Sequence, residues 1–191
     1  MDQIKTYLES IAPLSEPEWL LFSSKLQHRT YEKGAVLHAA GSIENQLSFL
    51  KRGIVRFHFP HEEAEDRDFT FAFAFEGVFF SAYDSFLTQS VSQYSISAVT
   101  PSQVWQISFQ DLQAIYQMTQ IGNTIGRIVA EELYIAKMKR EMTLLRDTAK
   151  ERYLALLKER PQLIQHIPLK YLAPYIGITP QSLSRIRREI S

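Results

Sequence analysis

The 191-residue sequence contains no cysteine. It can therefore hold no disulfide, no thiolate zinc site and no iron–sulfur cluster on cysteine ligands, and sensing through thiol oxidation is excluded. Long apolar runs are missing as well: no stretch approaches the ~18 consecutive apolar residues that read as a membrane helix. The opening MDQIKTYLES has neither the basic region nor the apolar region of a secretory signal. A cytoplasmic protein without membrane contact is expected. The sequence also lacks a nucleophile elbow, a phosphate-binding loop and an HExxH pair, so no enzyme is expected and no cofactor is indicated. What is present, 45% hydrophobic and 22% charged residues, is the balance of an ordinary folded chain, with room for one domain and a small second one.

The net charge of zero conceals an asymmetry. Residues 147–191 hold eight Lys and Arg against four Asp and Glu, a surplus of four; the 13 basic and 17 acidic residues left for 1–146 give a deficit of four. A basic module on an acidic body suits a nucleic-acid contact, because neutralising phosphates supplies most non-specific affinity. Two solvated surfaces would differ by as much, so the motifs must decide.

Residues 1–26 read as two short helices, IKTYLESI and SEPEWLLFSSKL, broken at Pro13-Leu14-Ser15, with Ser15 able to cap the second and Pro17 in its first turn. From about 30 to 108 the pattern is β-rich: AVLHA, NQLSFLKRG, IVRFHF, RDFTFAFAF, YSISAV and QVWQIS, with turn signals at Lys33-Gly34, Gly41-Ser42, Arg52-Gly53 and Thr100-Pro101. Short strands at this spacing predict an antiparallel β-barrel or jelly roll. After Ser108 the period becomes helical, and a long helix is expected over about 110–146. Within it Ile121, Ile128, Ile135 and Met142 recur every seven residues, and Met138 and Leu145 follow three residues after two of them. Thr124 and Glu131 interrupt the seam. Packing on the chain's own sheets would also give an apolar stripe, but 25 residues at ~1.5 Å each outrun a small barrel and favour a dimerisation helix.

The most informative segment is the last, IPLKYLAPYIGITPQSLSRIRREIS. Pro168 can open a helix, Gly177 permits the left-handed turn that ends it, and Thr179 with Pro180 starts another. Ala173, Ile178, Leu183 and Ile186 are spaced to form the small core between the two. The second helix then presents Gln181, Ser182, Ser184, Arg185 and Arg188, side chains able to bond base edges and phosphates. The blander reading is a helical hairpin with a basic, solvated face. In helix-turn-helix geometry the start of the second helix enters the major groove, so Thr179, Gln181, Ser182, Ser184, Arg185 and Arg188 are the candidate DNA-binding residues, with Gln181, Ser182 and Arg185 nearest the bases.

The segment IGITPQSLSRIRR, preceded by TAKERYLALLKERP, resembles the DNA-binding end of the Crp/Fnr family of cyclic-AMP-receptor-like regulators. The resemblance implies an α+β chain: a cyclic-nucleotide-binding-like β-barrel or jelly roll, a long dimer helix, a hinge, and a winged helix-turn-helix. Residues 1–146 would be the sensor with its dimerisation helix, and 147–191 the DNA-binding domain. By similarity Asp147-Thr148 is the hinge, and Gln181 and Arg185 match positions that contact bases; Pro180 stands where the family often has a polar contact residue. The sequence given stops at Ser191 soon after the motif, so a shortened C-terminus is expected and a wing would have to precede the motif. The implied partners are a second copy of the chain, double-stranded DNA bearing a palindromic operator and, as a further candidate, RNA polymerase.

In that family a cyclic nucleotide is held by amides of a short helix, a Glu on the ribose and an Arg on the phosphate, groups chosen by the chemistry of the ligand. Setting Gly77 on the first glycine of the family motif places Ala82 at the Glu position and Gln93 at the Arg position. Without the guanidinium a buried phosphate is poorly compensated, so a response to cyclic AMP is not expected. Ser81, Ala82, Tyr83, Gln93 and Tyr94 remain the candidate effector residues, for a small molecule of unknown identity. The aromatics Phe79, Phe80, Tyr83, Phe86 and Tyr94 either line a pocket or fill the core, and filling is the preferred reading. His58 and His61 beside Glu62, Glu63, Glu65 and Asp66 suggest a charged hairpin tip rather than a metal site. The competing expectation for the whole chain is a dimeric ligand-sensing or scaffold protein that has lost DNA binding.

Overall fold

The computed structural model describes residues 1–61 and 68–190. It separates into two compact units, the first made of residues 1–57 and 73–133, the second of 58–72 and 134–190.

Two helices precede the strands, α1 (Asp2–Ile11) and α2 (Glu16–Ser24). The break between them falls where Ser15 begins a capping box: its backbone N–H donates to the Glu18 carboxylate at 3.1 Å, with Pro17 in the first turn. Their apolar sides, Ile4, Leu8, Trp19 and Phe22, are buried together with Phe49, Phe86, Ile107, Leu112 and Ile115. The rings of Tyr7, Phe49 and Phe79 meet edge to face at 5.0 to 6.1 Å. Each such buried side chain contributes about 1.5–3 kcal/mol.

Eight strands lie among the described residues: β1 (Gln27–Tyr31), β2 (Val36–His38), β3 (Gln46–Arg52), β4 (Val55–Phe59), β5 (Phe69–Ala74), β6 (Phe79–Phe80), β7 (Ser95–Ala98) and β8 (Ser102–Ser108), with α3 (Tyr83–Thr88) between β6 and β7. They form two four-stranded sheets, ordered β1-β8-β3-β6 and β2-β7-β4-β5, and are not closed into a barrel. That corrects the barrel expectation, because each sheet keeps two edge strands. Pairing is antiparallel, with Gln27 opposite Gln106 and Leu47 opposite Ile107, and the register slips between Leu50 and Arg52. A second apolar group lies here: Leu50, Val55, Ala74, Phe80, Ala82, Ile96 and Val104. At the Arg52-Gly53 turn Gly53 has φ +108°, and a Cβ there would stand 2.7 Å from the Pro101 carbonyl oxygen, so no side chain fits.

Sequence reading missed β1 and β6. QHRTY is exposed along almost its whole length and so lacks an alternating signature, and β6 has only two residues. The single helix expected over about 110–146 is in fact two, α4 (Phe109–Met118) and α5 (Gln120–Arg146). Thr119 separates them in extended conformation, and its hydroxyl oxygen accepts the Gly122 N–H at 3.1 Å. That bond satisfies an amide freed at the new helix start, which is how one residue can end one helix and begin the next.

The second unit is helical after α5: α6 (Ala149–Glu159), α7 (Pro161–His166), α8 (Leu169–Ile176) and α9 (Pro180–Ile190). Among the described residues no strand follows β8, so the wing expected before the motif is not formed there. Thr148 caps α6 reciprocally with Glu151. No described helix is long and apolar enough to cross a membrane.

Candidate nucleic-acid interface and sensor residues

Helix α8 ends at Gly177 in the left-handed region, φ +81°. The Gly177 N–H donates to the Pro174 carbonyl at 2.9 Å and the Ile178 N–H to the Ala173 carbonyl at 3.0 Å, the paired bonds that close a helix on a glycine. Three residues later α9 begins. Thr179 caps it, its hydroxyl oxygen accepting the Ser182 N–H at 3.2 Å, while its own hydroxyl donates to the Ser182 hydroxyl at 3.0 Å. Leu172, Ala173 and Leu183 are wholly buried, with Ile176 and Ile186 beside them, so the two helices hold each other through a small core.

Gln181, Ser184, Arg185 and Arg188 fall at i, i+3, i+4 and i+7 of α9, and all four are exposed, on the side away from buried Leu183 and Ile186. Ser182 is half-buried and engaged in the cap, and Thr179 is its partner. The structure thus groups four of the six expected side chains as one polar row and turns the other two to building the helix start. Arg187 adds a further cation on the same helix, and Glu189 lies 3.8 Å from Lys150.

Along α5, Ile121 and Ile128 are half-buried, whereas Ile135, Met138 and Met142 are exposed, as is Leu145 at 78%. Tyr134, 66% exposed, lies beside that row and was not singled out in the sequence.

The expected effector residues do not converge on one point. Ser81 donates its hydroxyl to the Gln46 carbonyl at 2.9 Å, Ala82 is wholly buried, Gln93 is exposed, and Tyr94 donates to the Asp84 carboxylate. The aromatics are shared between the two apolar groups, Phe86 with Phe79 and Tyr83 in the first, Phe80 with Tyr94 in the second. A cleft of about 280 Å³ opens instead beside Tyr83, Phe86, Gln113, Tyr116, Asn123 and Arg127. Burial pushes the Tyr116 phenol up to about 12, so its proton stays on at neutral pH.

One polar cluster gave no sequence signal. Glu44, in the loop before β3, buries its carboxylate and accepts the Gln46 N–H at 2.9 Å, with the amides of Ala82 and Asn45 also facing it. Burial pushes this carboxyl above the usual range and the amides oppose the shift. His38 Nδ1 stands 3.4 Å from it, and the buried Nε2 of His38 has no hydrogen-bond partner. Burial lowers the His38 value, against the pull of Asp84. An imidazole so displaced is neutral at pH 7, and the contact is not an ion pair there.

His58 Nδ1 lies 2.9 Å from an Asp68 oxygen whose partner oxygen accepts the His61 N–H at 3.0 Å. No three metal-ligating side chains converge among the described residues; Glu62, Glu63, Glu65 and Asp66 lie outside them.

Residues 28–119 match the family model of the cyclic nucleotide-binding domain. Comparison with curated proteins finds no match. Among solved structures, FixK2 from Bradyrhizobium japonicum superposes with a TM-score of 0.71 at 18% identity, over 86% of this chain and 84% of that one. The catabolite activator protein of Thermus thermophilus gives 0.56 at 21%, over 96% and 86%. The regulator CLP of Xanthomonas campestris, described as responsive to c-di-GMP, gives 0.68 at 16%, over 92% and 91%. Residues 28–119 are thus similar to a cyclic nucleotide-binding domain, and the chain shares the fold of these solved structures over most of its length.

Proposed function

We propose that the chain is a dimeric, sequence-specific DNA-binding transcription regulator of the Crp/Fnr type that does not respond to cyclic AMP, with no enzymatic activity. The observation that carries the reading is the row Gln181, Ser184, Arg185 and Arg188, exposed on a helix whose other side is anchored in a core. Gln pairs bidentately with adenine and Arg with guanine, and a rigid helix presents both at fixed spacing. Residues 147–191 form the DNA-binding domain in this reading.

The exposed apolar row Ile135, Met138, Met142 and Leu145 supports a homodimer, because a seam of this kind gains stability only when a second copy covers it. Two reading helices related by a two-fold axis lie about one DNA turn apart, ~34 Å, and call for a palindromic operator. RNA polymerase is the further partner such a regulator engages at a promoter. In the sensor part the strand order β1-β8-β3-β6 over β2-β7-β4-β5 is read as a jelly roll. Any effector there meets Ser81, Ala82, Tyr83, Gln93 and Tyr94. The Ala82 amide already faces the Glu44 carboxylate, and a second anion at that amide would be repelled at close range. That supports an effector other than a cyclic nucleotide.

The test is selection from a randomised DNA pool at moderate salt, with wild type and Arg185→Ala in parallel. An enriched palindrome that blurs at one position in the variant is expected, with affinity falling steeply as salt rises. A protein that stays monomeric at micromolar concentration, or that enriches no sequence with or without cell extract, would sink the proposal in favour of a scaffold.

A further inference from the structure

The last four carbonyls of a helix have no partner inside it, and each needs one from elsewhere. In α8 these belong to Ala173, Pro174, Tyr175 and Ile176. The first two are taken by the Ile178 and Gly177 amides in the turn itself. The other two go to arginines from different helices. Arg140 of α5 donates through Nη2 to the Tyr175 carbonyl at 2.6 Å, and its guanidinium lies over the Tyr175 ring, 4.1 Å from the centroid. Arg152 of α6 donates through Nε to the Ile176 carbonyl at 2.8 Å. Its Nη1 reaches the Leu144 carbonyl near the end of α5 at 3.5 Å and also bonds the Asp147 carbonyl.

Neither arginine is within ion-pair distance of a carboxylate among the described residues. Arg152 also acts on the Asp147 carboxylate at longer range, and both guanidiniums meet the negative end of the helix dipole and the freed carbonyls, which favour cations. Arg152 therefore joins the ends of two helices through one planar group, and Arg140 fixes the same helix end a second time.

We propose that Arg140 and Arg152 are positioning residues that hold α8, and through the Gly177 turn α9, at one angle to the end of α5. The part of α5 from Tyr134 on, α6, α8 and α9 all lie in the second unit. Arg152 also spans Asp147-Thr148, the segment between α5 and α6, so the joint there is braced by its own backbone rather than free. The consequence for DNA rests on the reading of α9 as the recognition helix. If α5 carries the dimer axis, the arginine pair sets the separation of the two reading helices, and so the half-site spacing that the dimer accepts. A lysine keeps the charge but cannot fork between helix ends.

The first arm of the test needs no DNA. Because the chain has no cysteine, Glu141→Cys with Ser184→Cys takes a spin label at two exposed positions only, one on α5 and one on α9. Labelled chain diluted into unlabelled chain reports the distance within one molecule. One narrow distance is expected in the wild-type background, replaced by a broad distribution in Arg140→Gln/Arg152→Gln and by an intermediate one in Arg152→Lys. An unchanged narrow distance overturns the proposal. Should the double variant lose helix signal by circular dichroism, Arg140→Gln and Arg152→Lys singly are read by the same criterion.

The second arm uses the selected operator with one base pair added or removed between half-sites. Wild type is expected to lose about tenfold in affinity, a cost like that of a mismatched pair, and Arg152→Lys to discriminate clearly less at similar affinity for the relaxed sites. Equal discrimination by both chains overturns the role in spacing. If wild type selects no operator at all, the DNA reading has failed, and the distance measurement still decides whether the arginines fix α9.

Discussion

The two units each set charged side chains against backbone groups, with opposite sign. In the first, the Glu44 carboxylate is faced by amide N–H groups of Gln46, Ala82 and Asn45. In the second, the Arg140 and Arg152 guanidiniums are met by the carbonyls of Tyr175, Ile176, Leu144 and Asp147. The two arrangements differ in burial. Glu44 is shut in, so its desolvation must be offset locally, while the arginines are half-buried and retain access to water. Glu44 is therefore a fixed part of a folded core, and the half-buried guanidiniums are a joint between helix ends.

The comparison breaks most visibly at Glu44. Glu44→Ala leaves buried amides unpaired and is expected to destabilise the sheet unit by about 2–3 kcal/mol, read as a lowered midpoint in denaturant with unchanged slope. Glu44→Gln, which keeps an acceptor, should recover most of that loss. Arg152→Ala is expected to cost less, about 1–2 kcal/mol, because water can reach the abandoned carbonyls. Its signature is local: faster hydrogen exchange at the end of α8 and through α9, with the sheets unchanged. Thr148→Ala removes the cap of α6 and should cost about 1 kcal/mol, seen as fraying of that helix in the same exchange experiment.

The smallest effect is a pH slope. His38 has a value lowered from its ordinary 6.5 by burial, so the unfolded chain takes up a proton before the folded one does. The stability this residue contributes is present above 6.5 and is lost as pH falls through the folded value. Glu44, raised by burial, acts in the other sense: its contribution is present at low pH and lost as pH rises through its own folded value. With Asp84 as the other ionisable group acting on His38, thermal midpoints should fall on acidification below 6.5, and His38→Gln should flatten that fall. Curves of the same shape for wild type and His38→Gln would mean that His38 is not held neutral by its surroundings.

The C-terminal helices were legible because their chemistry is local: Gly177 must be left-handed, and Thr179 with Pro180 marks a start within three residues. The strands between 36 and 108, apart from the two-residue β6, were legible for the same reason, set off by glycine and proline turns. β1 was hidden because its residues stay mostly exposed on pairing with β8, so nothing in QHRTY alternates. Sheet closure is a matter of which edges pair, which no short window encodes. Glu44, Arg140 and Arg152 were missed on different grounds. Each looks like a solvated charge in sequence, and its role depends on backbone groups brought close by the fold, Ala82 for the first and Tyr175 and Ile176 for the others.

Gly53 carries a consequence for heredity rather than for binding. Any Cβ there meets the Pro101 carbonyl and the backbone of Ser102 at the start of β8, and the strain is mechanical, at a residue of the first unit, whereas the residues proposed to contact DNA belong to the second. A Gly53→Ala allele is expected to lower the melting midpoint by several degrees, in keeping with a loss of about 1–3 kcal/mol. In a growing culture it should behave as a temperature-sensitive mutation, normal in the cold and lost with warming, offering a way to withdraw the protein from a living cell by heat alone.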